Sequence, residues 1–549
     1  MGTAGYPEAG RALYIGNLYT GDSLMPTAEA MAVSGGRIMG IGPRKDVEAA
    51  FDDLPRVTLP GMFAMPGIID VHNHVIEGAR ALLYEVQLGA HLAFEDILQR
   101  ISEAAKQPAR SEWIVGGPFA IGACPQMAKA EGRAALDAVS GGRPVLLRDL
   151  SLHARYANSI GLKRAGIDRH TRDFGVGRIA RDAEGQPTGL VFEHSVNALE
   201  DAVPPLSASE WRACARLSMR LLNAAGITGF GLAIASGTTL GALQALDQDG
   251  EMSAWGAGYM AMDALLLATE RDVVGDRLVM SRENYRFAHL DPGFAKFFMD
   301  GVPLQRTAAF LSPYDDPLSY GSGFRGETAY TIEDLARRID ALDSAGIGVK
   351  IHAIGDRAIR DALDAISRVR AVRANGPLHT IAHLQFIDPV DIPCLRALNV
   401  GADLCPAMWF PQANHAAFIT ALGPERVERS WPIAEIVRTG GLAAIGSDWP
   451  AMAPTPNPWP GIQALITRSD NAGRTLGAHQ GIDLGTALRL STADAAKMLG
   501  LDKVTGTLRV GMSADFIVLD RDPFAVEPNE IGATQVLETY FAGARVHAA

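Results

Sequence analysis

The sequence predicts an α/β protein: a (β/α)8, TIM-like barrel carrying a small β-sandwich domain built from both termini and an insertion domain. Three observations lead there. The middle of the chain alternates apolar, strand-like runs with amphipathic, helix-like runs, the pattern of βα units on a parallel sheet. Both ends are β-rich instead. The middle strands also repeatedly deliver a histidine, a lysine or an aspartate at their ends, where a barrel of this kind gathers its active-site residues.

At the N-terminus, ALYIGNLYT, AMAVSGGRIMGIG and VTLPGMFAMPG are short apolar runs broken by glycine turns, and GTLRVGMSADFIVLD and VLETYFAGARVH repeat the pattern at the other end. Residues 1–65 and 500–549 are therefore expected to form one composite β-domain, with the barrel over 66–499. Within it KIHAIG precedes DRAIRDALDAISRVRAV, HTIAHLQFI precedes DPVDIPCLRAL, and GLAAIGSDWP follows later. A bare barrel takes about 250 residues. The 549 residues leave room for an insertion, expected within about 80–220, where GRIARDAEGQPTGLVFE reads as a β-hairpin.

Composition removes several function classes. With 62 acidic against 50 basic residues and a net charge of -12, the chain has no basic block to hold nucleic acid. No run of about 18 uncharged apolar residues occurs, so no membrane span is expected. The opening MGTAGYPEAGRALYIGN lacks the basic-then-apolar order of a secretory signal. Cys124, Cys214, Cys394 and Cys405 are widely spaced, without a CxxC pair, and read as reduced thiols of a cytoplasmic protein. GGPFAIGA is not a phosphate loop, and neither GxGxxG after a first strand nor GxxxxGK[ST] is present. What remains is an enzyme acting on a small-molecule substrate.

The strongest motif is MPGIIDVHNHV. Residues i and i+2 share a strand face, so His72 and His74 can reach one ion at the strand end. KIHAIGD, HTIAHLQF and AAIGSDWP each end an apolar run on one ligand-type side chain, His352, His383 and Asp448. In FAKFFMDG, Lys296 sits in an apolar run. Buried beside cations it would lose its proton. The neutral amine could add carbon dioxide, and the resulting carbamate could bridge two metals. Against this, Lys296 could snorkel or pair with Asp300, and Lys350, two residues before His352 but deeper, competes for the role. Asp70 is expected to orient ligands or backbone, and Asp356 to cap the helix after His352. Phe119, Phe310, Trp409, Phe410, Trp431 and Trp449 follow strand ends and could line an apolar pocket, or pack in the core. His91, His170, His415 and His547 read as ordinary core or surface residues.

The order HxH, Lys, His, His, Asp resembles the metal-binding pattern of the amidohydrolase superfamily. MPGIIDVHNH, KFFMDG, HAIGDRAI, AHLQF and GSDWP are closest to its YtcJ-like branch (amidohydrolase family 3), which includes N-substituted formamide deformylases. RDLSLHARYANS and GRIARDAEGQPTG are similar to that branch's insertion, and STADAAKMLGLDKVTGTLRVGMSADFIVLD to the superfamily's ending. The resemblance implies one or two divalent cations of zinc type. His72, His74 and Asp448 would hold one, His352 and His383 the other, with Lys296, carbamylated, between them. It also implies a homodimer. The implied activity is hydrolysis of a carbon–nitrogen bond by metal-activated water, with Asp448 moving the proton. His153, in the insertion motif, is then expected either to stabilise the oxyanion or to be a structural histidine. Lactone or ester hydrolysis, deamination and a lyase or isomerase step remain open on the same site, and a non-catalytic binding protein or a structural-metal protein are the competitors of another class. A structural zinc site would be closed and usually rich in cysteine, which this ligand set is not.

Overall fold

The computed structural model of the chain describes residues 10–108, 110–264, 266, 272–315, 321–408, 415–470 and 473–549. Eight parallel strands follow one another round a barrel: Ile68–Asn73, Ile227–Ala235, Trp255–Ala261, Leu290–Phe298, Gly348–Ala353, His379–His383, Val400–Leu404 and Ala443–Ile445. All but Leu290–Phe298 are buried along almost their whole length, as a parallel sheet covered on both faces requires. Helices return the chain between them. In Asp356–Val372, Ile359, Leu363, Ile366 and Val369 recur at three- and four-residue steps and are all buried.

The seam between the last strand and the first is closed by residues of the two strand ends. Asp448 N–H donates to His72 O at 2.7 Å. The Ser447 hydroxyl donates to Asp70 Oδ2 at 2.6 Å, and Ser447 N–H to Asp70 Oδ1 at 2.9 Å. Gly446 allows this approach, because a Cβ there would lie 2.5 Å from His72 Cβ.

A second sheet of eight strands joins the two chain ends: Phe63–Pro66 pairs antiparallel with Phe516–Leu519, beside strands from 12–42 and 536–548. Alternation splits its first strand between two cores. Tyr14 and Leu18 pack with Phe516, Val518 and Tyr540, whereas Leu13 and Ile15 pack with Val47 and Leu54. A third, six-stranded sheet lies in sequence between the first two barrel strands and runs from Val86–Gln87 to Pro187–Phe192. Its strands Arg178–Arg181 and Pro187–Phe192 form an antiparallel hairpin. All four cysteines are free thiols. Among the described residues no helix is long and apolar enough to cross a membrane.

Candidate metal centre and active site

A cavity of about 330 Å³ opens at the C-terminal ends of the barrel strands, and His72, His74, His153, Lys296, His352, His383 and Asp448 all line it. Sequence distance is irrelevant to this gathering. Each residue except His153 lies among the last three residues of a barrel strand or just after one, and the strand ends converge. His153 comes instead from the loop between Val145–Asp149 and Ala154–Ala157 of the third sheet. His91, His170, His415 and His547 do not line the cavity.

The ligand atoms of His72, His383 and Asp448 lie within 4.8 Å of one another. Asp448 Oδ1 is 3.3 Å from His72 Nε2 and 3.2 Å from His74 Nε2. His72 Nδ1 is tied to Asp403 Oδ2 at 2.8 Å, which keeps the ring's proton on that side. Nε2 therefore meets Asp448 lone pair to lone pair, and Asp448 Oδ1 is buried with no hydrogen-bond donor. Burial also lowers the pKa values of His72, His74, His352 and His383, favouring the neutral imidazole that binds metal. Imidazoles whose neutral form is favoured, gathered round a carboxylate that faces a lone pair of His72, fit a divalent cation.

Lys296 and Lys350 are neighbours in register on adjacent strands, and their environments differ sharply. Lys350 Nζ donates to Asp403 Oδ2 at 2.6 Å and to Val71 O at 2.6 Å, below the cavity; burial lowers its pKa, but Asp403 and Tyr259 together outweigh that and the pKa is raised. Lys296 lines the cavity, with Nζ 4.8 Å from the centre of the Phe298 ring. Burial first and Lys350 second push its pKa down to about 7. Asp300, the other partner the sequence offers Lys296, accepts from the backbone N–H groups of Ala309, Ile354 and Gly355.

His352 meets the His383 ring edge-on with centroids 4.5 Å apart, and its Nε2 sits 3.2 Å from Gly301 O, leaving Nδ1 as its remaining ligand atom. His153 Nδ1 lies 2.8 Å from Glu193 Oε2. Burial opposes a charge on this ring, but Glu193 and then Asp149 outweigh it and its pKa is raised. The cavity thus combines four imidazoles whose neutrality is favoured with one whose protonation is.

Strain concentrates here. Of the twelve non-glycine residues with positive φ among those described, six line the cavity: Leu152, Leu266, Arg306, His383, Asp448 and Met452. Each such residue costs on the order of 1–3 kcal/mol and persists only where its surroundings impose it, as at functional sites. The walls are apolar, with Ile121, Leu152, Ile234, Phe298, Ile354 and Phe418 among them.

Of the six aromatic residues for which the sequence left pocket wall and core packing open, the four described pack in the core. Phe119 packs edge-on to Tyr156, Phe310 against Tyr314 and Phe386, Trp431 over Phe386, and Trp449 against Gly78. Strand-end aromatics can face the surrounding helices as easily as the mouth. Trp409 and Phe410 lie outside the described residues. Asp70 does hold backbone, accepting from His72 N–H at 3.1 Å as well as from Ser447. Asp356 is not the helix cap. Gly355 occupies that position, and the Asp356 carboxylate accepts from Leu311 N–H at 2.6 Å.

Two carboxylates escaped the sequence reading, Asp403 behind His72 and Glu193 behind His153. Asp403 carries a usable signal, a lone acid within the apolar strand Val400–Leu404, like that of Lys296. Glu193 sits just beyond a strand end with no such contrast.

The profile of the amidohydrolase family matches residues 57–547. The chain is 28% identical to YtcJ of Bacillus subtilis, over 94% of this chain and 96% of that protein. It is also 28% identical to the N-substituted formamide deformylase of Arthrobacter pascens, over 96% of each. Among solved structures, a metal-dependent hydrolase of Pyrococcus horikoshii superposes with a TM-score of 0.73 at 21% identity, over 95% of this chain and 99% of that one.

Proposed function

The chain belongs to the amidohydrolase family, and from that premise we propose that it hydrolyses a carbon–nitrogen bond, of an amide or an N-substituted formamide, with one or two divalent cations, zinc by ligand type. The observation that carries this reading is the single cavity shared by His72, His74, Lys296, His352, His383 and Asp448. The likeness to an N-substituted formamide deformylase along nearly its whole length supports the bond type.

His72, His74 and Asp448 would hold one cation and His352 and His383 the other. Neutral Lys296 would add carbon dioxide and release one proton, giving an anionic carbamate between the two positions. Such cations, when bound, acidify water and polarise a carbonyl. The remaining work falls to side chains of the chain itself. Asp448 accepts the proton of the attacking water and returns it to the leaving nitrogen. His153, as an imidazolium with Nδ1–H on Glu193, donates from Nε2 to the carbonyl oxygen as negative charge develops there. The apolar walls take the substituent on nitrogen and keep out bulk water.

A matched panel tests the reading: N-butylformamide, N-butylacetamide, butyl formate and γ-butyrolactone, with zinc-loaded and chelator-treated protein. Amine release from the amides is expected to exceed turnover of the ester and lactone, to vanish after chelation and to return with zinc. Faster ester or lactone turnover would remove the carbon–nitrogen assignment. Unchanged rates after verified removal of metal would remove the metal assignment.

A further inference from the structure

The metal ligands account for the barrel side of the cavity but leave unexplained why a loop of the third sheet is fastened across it. The fastening is dense. His153 N–H donates to Ser151 Oγ at 3.1 Å, and Ser151 Oγ donates to Asp149 Oδ1 at 2.8 Å. Gln305, after the fourth barrel strand, donates from Nε2 to Asp149 Oδ2 and Ser151 Oγ, each at 2.9 Å. Glu193 spans the same junction with both oxygens. Oε2 takes His153 Nδ1 at 2.8 Å, and Oε1 accepts from the barrel-loop residue Thr307 Oγ1 at 2.7 Å. Glu193 N–H also donates to His153 O at 2.9 Å.

The backbone makes room for this carboxylate at a cost. Glu193 has φ +49°, a left-handed conformation unfavourable for a residue with a side chain. Gly301 must lack a side chain, because a Cβ there would fall 2.1 Å from Glu193 Oε1 and 2.2 Å from Thr307 Oγ1. A carboxylate buried this way fixes one ring nitrogen of His153 and leaves the other for the cavity that His153 lines. The His153 ring is 5.1 Å from that of His352, one of the residues assigned to the second cation. It therefore stands beside the cation positions, where a substrate carbonyl would lie.

We propose that Glu193 is a positioning residue: by holding Nδ1 it locks the His153 ring with Nε2 facing the substrate's carbonyl group, so that the third sheet completes the active site. This rests on the hydrolytic reading of the cavity, not on which bond is cut. Loss of one such contact to the reacting carbonyl costs roughly 10²–10³ in kcat in comparable sites.

The test uses full-length, zinc-loaded Glu193→Ala, Glu193→Gln, Thr307→Val, His153→Gln and the double variant Glu193→Ala/His153→Gln, on whichever panel substrate the parent protein turns over fastest. Zinc content and the visible spectrum of the cobalt-substituted proteins are measured alongside. Glu193→Ala is expected to lower kcat by about 100-fold with KM little changed, with zinc content and cobalt spectrum unaltered. Glu193→Gln, which keeps an acceptor for Nδ1–H, should recover at least a tenth of the parent rate. The double variant should be no slower than His153→Gln alone. Should Glu193→Ala not fold, Glu193→Gln and Thr307→Val carry the test, with severalfold lower kcat and unchanged cobalt spectra. An undiminished kcat, additive losses in the double variant, or a shifted cobalt spectrum in His153→Gln would each overturn the proposal. A parent protein that prefers esters would remove only the carbon–nitrogen assignment. One that turns over nothing on the panel would remove both.

Discussion

Two histidines of the cavity are backed by carboxylates at the same distance, 2.8 Å: His72 by Asp403 and His153 by Glu193. The pairs are built differently. His72 and Asp403 stand on barrel strands, where pairing register fixes their places, and Asp403 also neutralises buried Lys350. His153 and Glu193 lie beyond strand ends of the third sheet, at positions held by cross-links to the loop after the fourth barrel strand and by strained backbone. One motif, a carboxylate fixing an imidazole, thus serves a rigid position and an imposed one. The strand-borne pair is suited to holding a cation, and the loop-borne pair to meeting a substrate.

The comparison is broken most directly at the barrel side. His72→Ala or Asp448→Ala should abolish turnover and lower bound zinc, while the far-ultraviolet circular dichroism persists. Retention of full activity and metal in either variant would show that the strand ends do not hold the cation. Lys296→Ala comes next. Activity should fall severely and recover in part with formate or acetate, which can supply the missing carboxylate, and unimpaired activity would exclude a bridging role.

Asp403→Ala should act on both functions of that carboxylate. Zinc affinity should fall by roughly 10–100-fold, from loss of the group behind His72. Stability should drop by about 3–5 kcal/mol, because Lys350 is left buried and unpaired. Equilibrium dialysis and urea unfolding measure the two effects. Equal zinc affinity in Asp403→Ala and Glu193→Ala would erase the distinction between the pairs.

The smallest effect concerns a buried carboxylate with no imidazole to fix. Glu77 has Oε2 without a partner, and burial pushes its pKa up to about 7 against the pull of Arg80. Between its ordinary 4.5 and about 7 the unfolded chain gives up this proton while the folded chain keeps it, so stability falls across that window and stays lower above it. Glu77→Gln should therefore be more stable than the parent at pH 8, by at most ~3 kcal/mol, and no more stable at pH 4. A difference independent of pH in urea unfolding would mean that burial is not the cause.

Much of the barrel was legible because several of its strands are short apolar runs that end on or near a residue that does not belong in one. His352 after GVKI and His383 after HTIA are contrasts that survive in one dimension. The structure places those residues, with His72, His74, Lys296 and Asp448, on one cavity. Asp403 and Glu193 were not legible as parts of the site, because a carboxylate behind a histidine is defined by a partner 331 or 40 residues away. The strand-end aromatics stayed open for a different reason. Their chemistry suits a pocket wall and a helix-facing core equally, and only the direction of the side chain decides.

The closing seam has one last consequence. Asp448 reaches His72 only because the eighth barrel strand lies against the first, with its N–H on His72 O and its neighbour Ser447 on Asp70. A nascent chain emerging from the ribosome would already carry all the cavity histidines, yet would lack the carboxylate that brings their ring nitrogens to a common point until residue 448 had been released. Hydrolytic power would then arrive late in synthesis, after most of the hydrophobic interior is available to contain it.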